Sequence, residues 1–317
     1  MNRTELAFTP AVEQAQLIRA KTVSSLELVE LYLERIQRLD AQLGSYFTVT
    51  AEQAIAEAKA KTEALAQANG AAELPPFFGV PISIKDLNAV LGVSCTYGTP
   101  VMKDNIANYE DGVVTRIKQA GFIILGKTAT SELGSFPYTE PQGFPPARNP
   151  WNLDHTPGGS SGGAAAAVSA GLCAIAQGSD GGGSVRGPAA CCGLVGIKPS
   201  RGRITHAPLG DRLSGIATNG PLARTVTDVA ALLDVMSGYT TGDPYWLPDP
   251  NPSFLKVAEQ AKAMVGQPAA PLRIAFSTTV QPIGEADPVC QQAVLDTVSC
   301  WSVWGIKWNP DALTSQI

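Results

Sequence analysis

Apolar residues recur along this chain first at helical spacing, then in short unbroken runs, and the alternation predicts a layered α/β order. Ser24-x-x-Glu27 is a capping box opening a helix, whose apolar face comprises Leu26, Leu28, Val29, Leu31, Tyr32, Ile36 and Leu39. A second helix runs from about Ala51 to Ala68 and stops before Gly70. Phe77 to Ile84 is nearly continuous in apolar residues and predicts a buried strand ending at Lys85. A helix near Asp111 to Ala120, a strand from Phe122, and a helix with a short strand over Ala164 to Ala176 follow. Further on come a strand at Leu194 to Lys198, a helix from about Thr227 to Met236, and a proline-rich turn at Pro244 to Pro252. Leu272 to Phe276 is another strand; Asp287-Pro288 opens a helix continued by Val289, Ala293, Val294 and Thr297. The expected architecture is a mixed central β-sheet with helices on both faces and no internal repeat. At 317 residues the spacing of elements favours one large domain over two small ones.

Two glycine runs interrupt this order. Gly158-Gly159-Ser160-Ser161-Gly162-Gly163 and Gly181-Gly182-Gly183-Ser184-Val185-Arg186 stand at either end of the alanine-rich helix–strand segment. Glycines around a hydroxyl expose backbone N–H groups and let the main chain approach a ligand. One such run is a common surface loop, but two tied by a single packed unit read as the walls of one active site. Lys85 ends an apolar strand, where desolvation disfavours the ammonium and lowers its pKa toward that of a usable base. A serine hydroxyl needs such a base to act as a nucleophile. The competing account of Lys85 is a strand-end lysine that snorkels and pairs with a carboxylate such as Asp86.

Together these residues resemble the amidase signature hydrolases. Gly158 to Ala189 fits that family's long glycine/serine signature, including Asp180, Ser184, Arg186 and Pro188. The likeness extends through Gly79 to Asp86, Gly126-Lys127-Thr128, Arg148-Asn149-Pro150-Trp151-Asn152 and Gly193 to Gly202. The resemblance implies a Ser–cis-Ser–Lys triad, with Ser184 as nucleophile, Ser160 as bridging serine on a cis peptide, and Lys85 as base. It implies an oxyanion hole built from the backbone N–H groups of Gly181, Gly182, Gly183 and Ser184. Asp180 and Arg186 are expected to pair and brace the loop, and Ser161 to give a supporting hydrogen bond. The implied activity is hydrolysis of a small-molecule carboxylic acid amide through an acyl-enzyme, with no cofactor and no metal. Within the family, the alternative is the amidotransferase subunit that frees ammonia from glutamine. That subunit usually carries a tyrosine-glycine turn where this chain has Pro199-Ser200-Arg201-Gly202. From another class comes a non-catalytic, truncated relic.

Two other motifs compete. Gly121-Phe122-Ile123-Ile124-Leu125-Gly126-Lys127-Thr128 satisfies the P-loop pattern, but its centre is an apolar strand, whereas a phosphate cradle needs the strand before the glycines. Gly158-x-Ser160-x-Gly162, followed by Asp180 and His206, has the order of an α/β-hydrolase elbow and triad. No apolar strand enters that elbow, and His155 and His206 both read as loop hydrogen-bonders.

A net charge of −5 without a basic cluster argues against nucleic acid as a partner. Met1 to Gln16 lacks a signal-like apolar run and no segment reaches membrane-spanning length, so a cytoplasmic protein without a membrane partner is expected. Cys95, Cys173, Cys191, Cys192, Cys290 and Cys300 have no paired metal spacing, and most are expected to be reduced core thiols. Monomer and homodimer both remain open.

The end of the chain departs from the family, whose members continue well past it. Residues 1–299 are expected to form one incomplete amidase-signature domain, C-terminally truncated, with 300–317 an atypical tail. The helix from Asp287 is expected to dissolve near Cys300, where three of the five tryptophans crowd together. A shifted reading frame accounts for this change, since from Ser299 permitted codons in another frame restore a leucine-spaced helix end, a glycine and a strand. A natural short variant or simple truncation is the alternative.

Overall fold

The computed structural model describes residues 1–67, 74–264, 273–280, 284–303 and 307–309. Two helices absent from the sequence prediction come first, α1 (Arg3–Phe8) and α2 (Ala11–Arg19). The predicted capping box then opens α3 (Ser25–Leu43): the Ser24 hydroxyl accepts from the Glu27 amide at 3.1 Å, and the Glu27 carboxylate accepts from the Ser24 amide at 2.7 Å. Each bond satisfies a donor that the first helical turn cannot. Gly44, at φ 56°, ends the helix in the left-handed region. Helix α4 (Ala51–Gln67) follows; the predicted end at Ala68 and the stop at Gly70 lie outside the described residues.

The core is a six-stranded mixed sheet made of β1 (Tyr46–Val49), β2 (Pro81–Lys85), β3 (Ile123–Thr128), β4 (Ile175–Asp180), β5 (Val195–Gly196) and β6 (Thr218–Ala223). Their order is β1-β3-β2-β4-β6-β5, with β3, β2 and β4 mutually parallel and the remaining pairings antiparallel. Every residue of β2, β3, β4 and β6 is buried, so both faces of the sheet's centre are covered. Helices α5 (Gly112–Gln119), α6 (Gly162–Ser169), α7 (Arg186–Cys192) and α8 (Val226–Met236) complete this layer structure.

Several expectations change. The strand predicted at Leu194 to Lys198 contracts to the two residues of β5, and β6 was not predicted, because Gly220 and Pro221 erase its strand signal. Pro221 is tolerated because its carbonyl accepts from Ile197 on the β5 side at 3.4 Å. Its missing N–H therefore falls on that same side, beyond the last residue of a short edge strand. Of the six cysteines, all free, only Cys95, Cys173 and Cys192 are buried.

The chain divides into two compact units, Met1–Ala258 and Glu259–Ile317, with helix α9 (Phe254–Ala263) running across the division. The division precedes the change of composition at residue 300. The second unit contains β7 (Arg273–Ala275), a hairpin of β8 (Thr279–Val280) with β9 (Gly284–Glu285), α10 (Pro288–Val303), and β10 (Lys307–Asn309) parallel to β7. Helix α10 does not dissolve at Cys300. Ala293, Val294, Thr297, Val298 and Trp301 hold one face at helical spacing and line a cavity with Ala275 and Phe276, so Trp301 continues the stripe past the composition change. Leu272 at the predicted strand start, residues 304–306 and residues 310–317 lie outside the described residues.

Candidate active site

Because β2, β3 and β4 are parallel, their carboxyl ends open on one edge of the sheet, the usual place for a ligand in such sheets. Lys85 ends β2 and Asp180 ends β4. Ser160 and Ser161 stand just before α6, and Ser184 just before α7, so both glycine runs reach this edge from helix amino ends. The peptide between Gly159 and Ser160 is cis.

Lys85 has no exposed surface, and its Nζ lies 2.7 Å from Ser160 Oγ, 3.1 Å from Ser179 Oγ and 3.3 Å from the Ser179 carbonyl. Burial drives its pKa well below the usual lysine range; nearby Asp180 opposes that shift and Arg212 adds to it. Three oxygens, two of Ser179 and the Ser160 hydroxyl, thus lie within hydrogen-bond reach of Nζ. The snorkelling account fails because Lys85 has no exposed surface and Asp86, in the turn just past β2, is taken up elsewhere. Asp86 instead pairs with Lys127 at 2.8 Å, both side chains fully buried, and accepts from the Thr96 amide at 2.9 Å.

This placement also disposes of the P-loop pattern. Ile123–Thr128 is β3, buried throughout, and Lys127 is spent on Asp86. No strand precedes the Ser160 elbow; the preceding segment holds only the isolated bridge Asn149–Asn152.

Asp180 organises the second run. Its carboxylate accepts from the amides of Gly183 at 2.7 Å, Val185 at 3.1 Å and Arg186 at 3.2 Å, and from Arg186 Nε and Nη2 at 2.9 Å each. Burial pushes the carboxyl up, but the Arg186 guanidinium and those three amides outweigh it and hold the pKa at about 2. The Gly183 amide, one of four expected in the oxyanion hole, is therefore committed to Asp180. Among the described residues, the amides of Gly182 and Ser184 have no hydrogen-bond partner. Gly183 needs its glycine, at φ 121°. Ser161 Oγ donates to the Ser179 carbonyl at 3.2 Å and accepts from the Ser179 amide at 3.3 Å, while the Ser161 amide donates to the Ser184 carbonyl at 3.1 Å. The two runs are thus stitched together.

Ser160, Ser179, Gly181, Gly182 and Ser184 line one cavity of about 430 Å³. His206 also borders it, its Nε2 3.1 Å from the Ala217 carbonyl. That carbonyl only accepts, so Nε2 carries the proton; burial and Arg212 lower the ring's pKa. Sequence reasoning missed Ser179. Its position directly before Asp180 on a strand was the available signal, since alternation turns it to the opposite face. Among the described residues no helix is long and apolar enough to cross a membrane, and no group of three acidic, His or Cys side chains could hold a metal.

Comparison with known proteins places these features in a wider set. A family model described as Amidase matches residues 27–308. A Synechocystis sp. protein provisionally named an amidase is 54% identical over 296 residues, which are 93% of this chain and 57% of that protein. A glutamyl-tRNA(Gln) amidotransferase subunit from Desulforapulum autotrophicum is 40% identical over 255 residues, 80% of this chain and 51% of that protein. Among solved structures, 6-aminohexanoate cyclic dimer hydrolase matches with TM-score 0.83 at 34% identity, over 96% of this chain and 60% of its own. A bacterial aryl acylamidase of the amidase signature family matches with TM-score 0.82 at 28% identity, over 95% and 60%. The chain thus spans little more than half the length of the curated relatives it matches.

Proposed function

The chain belongs to the amidase family, and from that membership we propose that it hydrolyses a carboxylic acid amide to the acid and ammonia or an amine, with Ser184 as nucleophile, Ser160 as relay and Lys85 as base. The observation that carries the reading is the fully buried Lys85 amine, 2.7 Å from Ser160 Oγ and without a carboxylate partner among the described residues. Lys85 takes the Ser160 proton as Ser160 takes that of Ser184. Ser184 Oγ then bonds to the amide carbon. The oxyanion is met by the amides of Gly181, Gly182 and Ser184, since that of Gly183 is held by Asp180. Return of the proton to nitrogen breaks the C–N bond and leaves an acyl-enzyme, which water opens by the same relay in reverse. Asp180, Arg186 and Ser161 hold the two serine runs in register without touching the reacting atoms. The site needs no cofactor for this chemistry, and the partner it calls for is a small-molecule amide.

Likeness to the amidotransferase subunit supports a second reading, in which glutamine is the amide and partner subunits use the ammonia. A third, the non-catalytic relic, draws on the chain's length relative to its relatives. A fluorophosphonate probe and ammonia release from a panel of amides separate them. Labelling confined to Ser184, with turnover of simple amides, supports the hydrolase. Turnover of glutamine alone would favour the amidotransferase, and a folded chain that neither labels nor turns over would favour the relic.

A further inference from the structure

Among the described residues, five other than glycine have positive φ: Lys21, Tyr97, Leu133, Leu213 and Ser214. Tyr97 (φ 54°), Leu133 (φ 50°) and Leu213 (φ 51°) all line the Ser184 cavity. Bulky residues are rare in this region because Cβ crowds the backbone, and such outliers gather where a ligand is handled. Leu133 and Leu213 are also 64% and 72% exposed, and neighbouring Ile216 is 59% exposed. A leucine both strained and exposed recovers little from packing in the free protein. Three exposed apolar side chains around one reactive serine form the kind of patch that marks a binding surface.

The loops that present these side chains are cross-tied. The Leu133 amide donates to the Tyr97 carbonyl at 2.8 Å, and the Tyr97 and Tyr109 hydroxyls lie 3.3 Å apart. The third loop is anchored by Arg212, which donates to the Leu87 carbonyl at 2.8 Å and to Asp111 at 3.0 Å. The one cation bordering the cavity among its described lining residues is therefore already met by a carboxylate.

Resting on the hydrolase reading above, we infer that Tyr97, Leu133 and Leu213 are specificity-determining residues that hold the apolar part of the substrate. The substrate class is then an amide bearing an aryl or long aliphatic group. Acetamide offers this wall only a methyl group, and glutamine would bring an ammonium and a carboxylate against leucines.

Binding of benzamide, hexanamide and acetamide to the full chain, measured by calorimetry, tests this without requiring turnover. Asparagine tolerates the left-handed region, so Leu133→Asn and Leu213→Asn remove apolar surface while keeping the backbone. Benzamide and hexanamide should bind at least ~10-fold tighter than acetamide, and that preference should collapse toward unity in the double variant. Leu133→Gly, which relieves the backbone, should weaken the preference likewise. Equal affinities in the parent chain, or a preference untouched by these variants, would overturn the inference. Fluorophosphonate labelling of Ser184 is scored separately. Labelling without preference removes only the specificity wall, whereas preference without labelling removes only the nucleophile assignment.

Discussion

Lys85 and His206 both border the same cluster of serines, and their surroundings give them opposite expectations. The buried Lys85 Nζ lies 2.7 Å from the Ser160 hydroxyl with its pKa driven down by burial, whereas His206 holds its proton against the Ala217 carbonyl. Lys85→Ala should therefore abolish amide hydrolysis, while His206→Ala keeps most of it. The pH dependence follows from the lowered lysine pKa: falling pH protonates Lys85 and removes the base, so activity declines on the acid side, through the depressed value. Full activity in Lys85→Ala with loss in His206→Ala would revive the elbow reading. Ser179 carries a second prediction. Its hydroxyl orients the Nζ donors and stabilises the ammonium more than the amine. Ser179→Ala should lower kcat about 10-fold, in line with one lost hydrogen bond, with KM little changed. The acid limb should move to lower pH, and Ser179→Thr should restore both. An unmoved pH profile would make Ser179 a packing residue only.

At the scale of elements, the first glycine run is dictated by close approach. A Cβ on Gly163 would lie 2.4 Å from the Ala129 nitrogen and 2.5 Å from the Ser45 oxygen, wedging α6 away from the bond that joins those two residues beside β1 and β3. Gly163→Ala should cost about 3 kcal/mol, the upper end for overpacking, in a urea unfolding titration. Little loss of stability would mean that α6 can shift at small cost. The second run behaves differently: a Cβ on Gly182 or Gly183 would meet nothing within 4 Å. The sequence marks both runs alike, and both reach the cavity, yet Gly163 is held by close packing while Gly182 and Gly183 face open space. That contrast was not legible, because it depends on which strands lie against each loop. The capping box was legible down to its two partners, because all its atoms lie within four residues. β6 was not, because Pro221 contradicts strand propensity and only the short neighbouring edge strand makes it tolerable.

Across the whole first unit, closure depends on contacts between distant segments. Asp228, at the start of α8, accepts from the amides of Ala11 and Val12 at 3.0 and 2.9 Å, and so satisfies the amino end of α2 from more than two hundred residues away. Asp228→Ala strands these two donors, one of them buried, and should lower stability by about 2–3 kcal/mol in denaturant unfolding. A change below experimental error would mean that water or a local group replaces the carboxylate. Asp86 and Lys127 tie the end of β2 to β3 in a similar way, and no local pattern marked them as partners.

The sequence by itself marked the candidate reactive side chains and where the chain must bend around them. Ser160, Ser184 and Lys85 are marked by their immediate neighbours: glycines that permit close backbone approach, and an apolar run that ends in an amine. Only the tertiary structure decided what each side chain faces. Asp86, in the turn past β2, goes to Lys127, and Lys85 is left with Ser160 and Ser179; the carboxylate of Asp180 claims the Gly183 amide; three loops distant in sequence set strained apolar residues beside one serine. Such relations arise between residues tens to hundreds of positions apart, where short-range propensity carries no information and packing sets the partner.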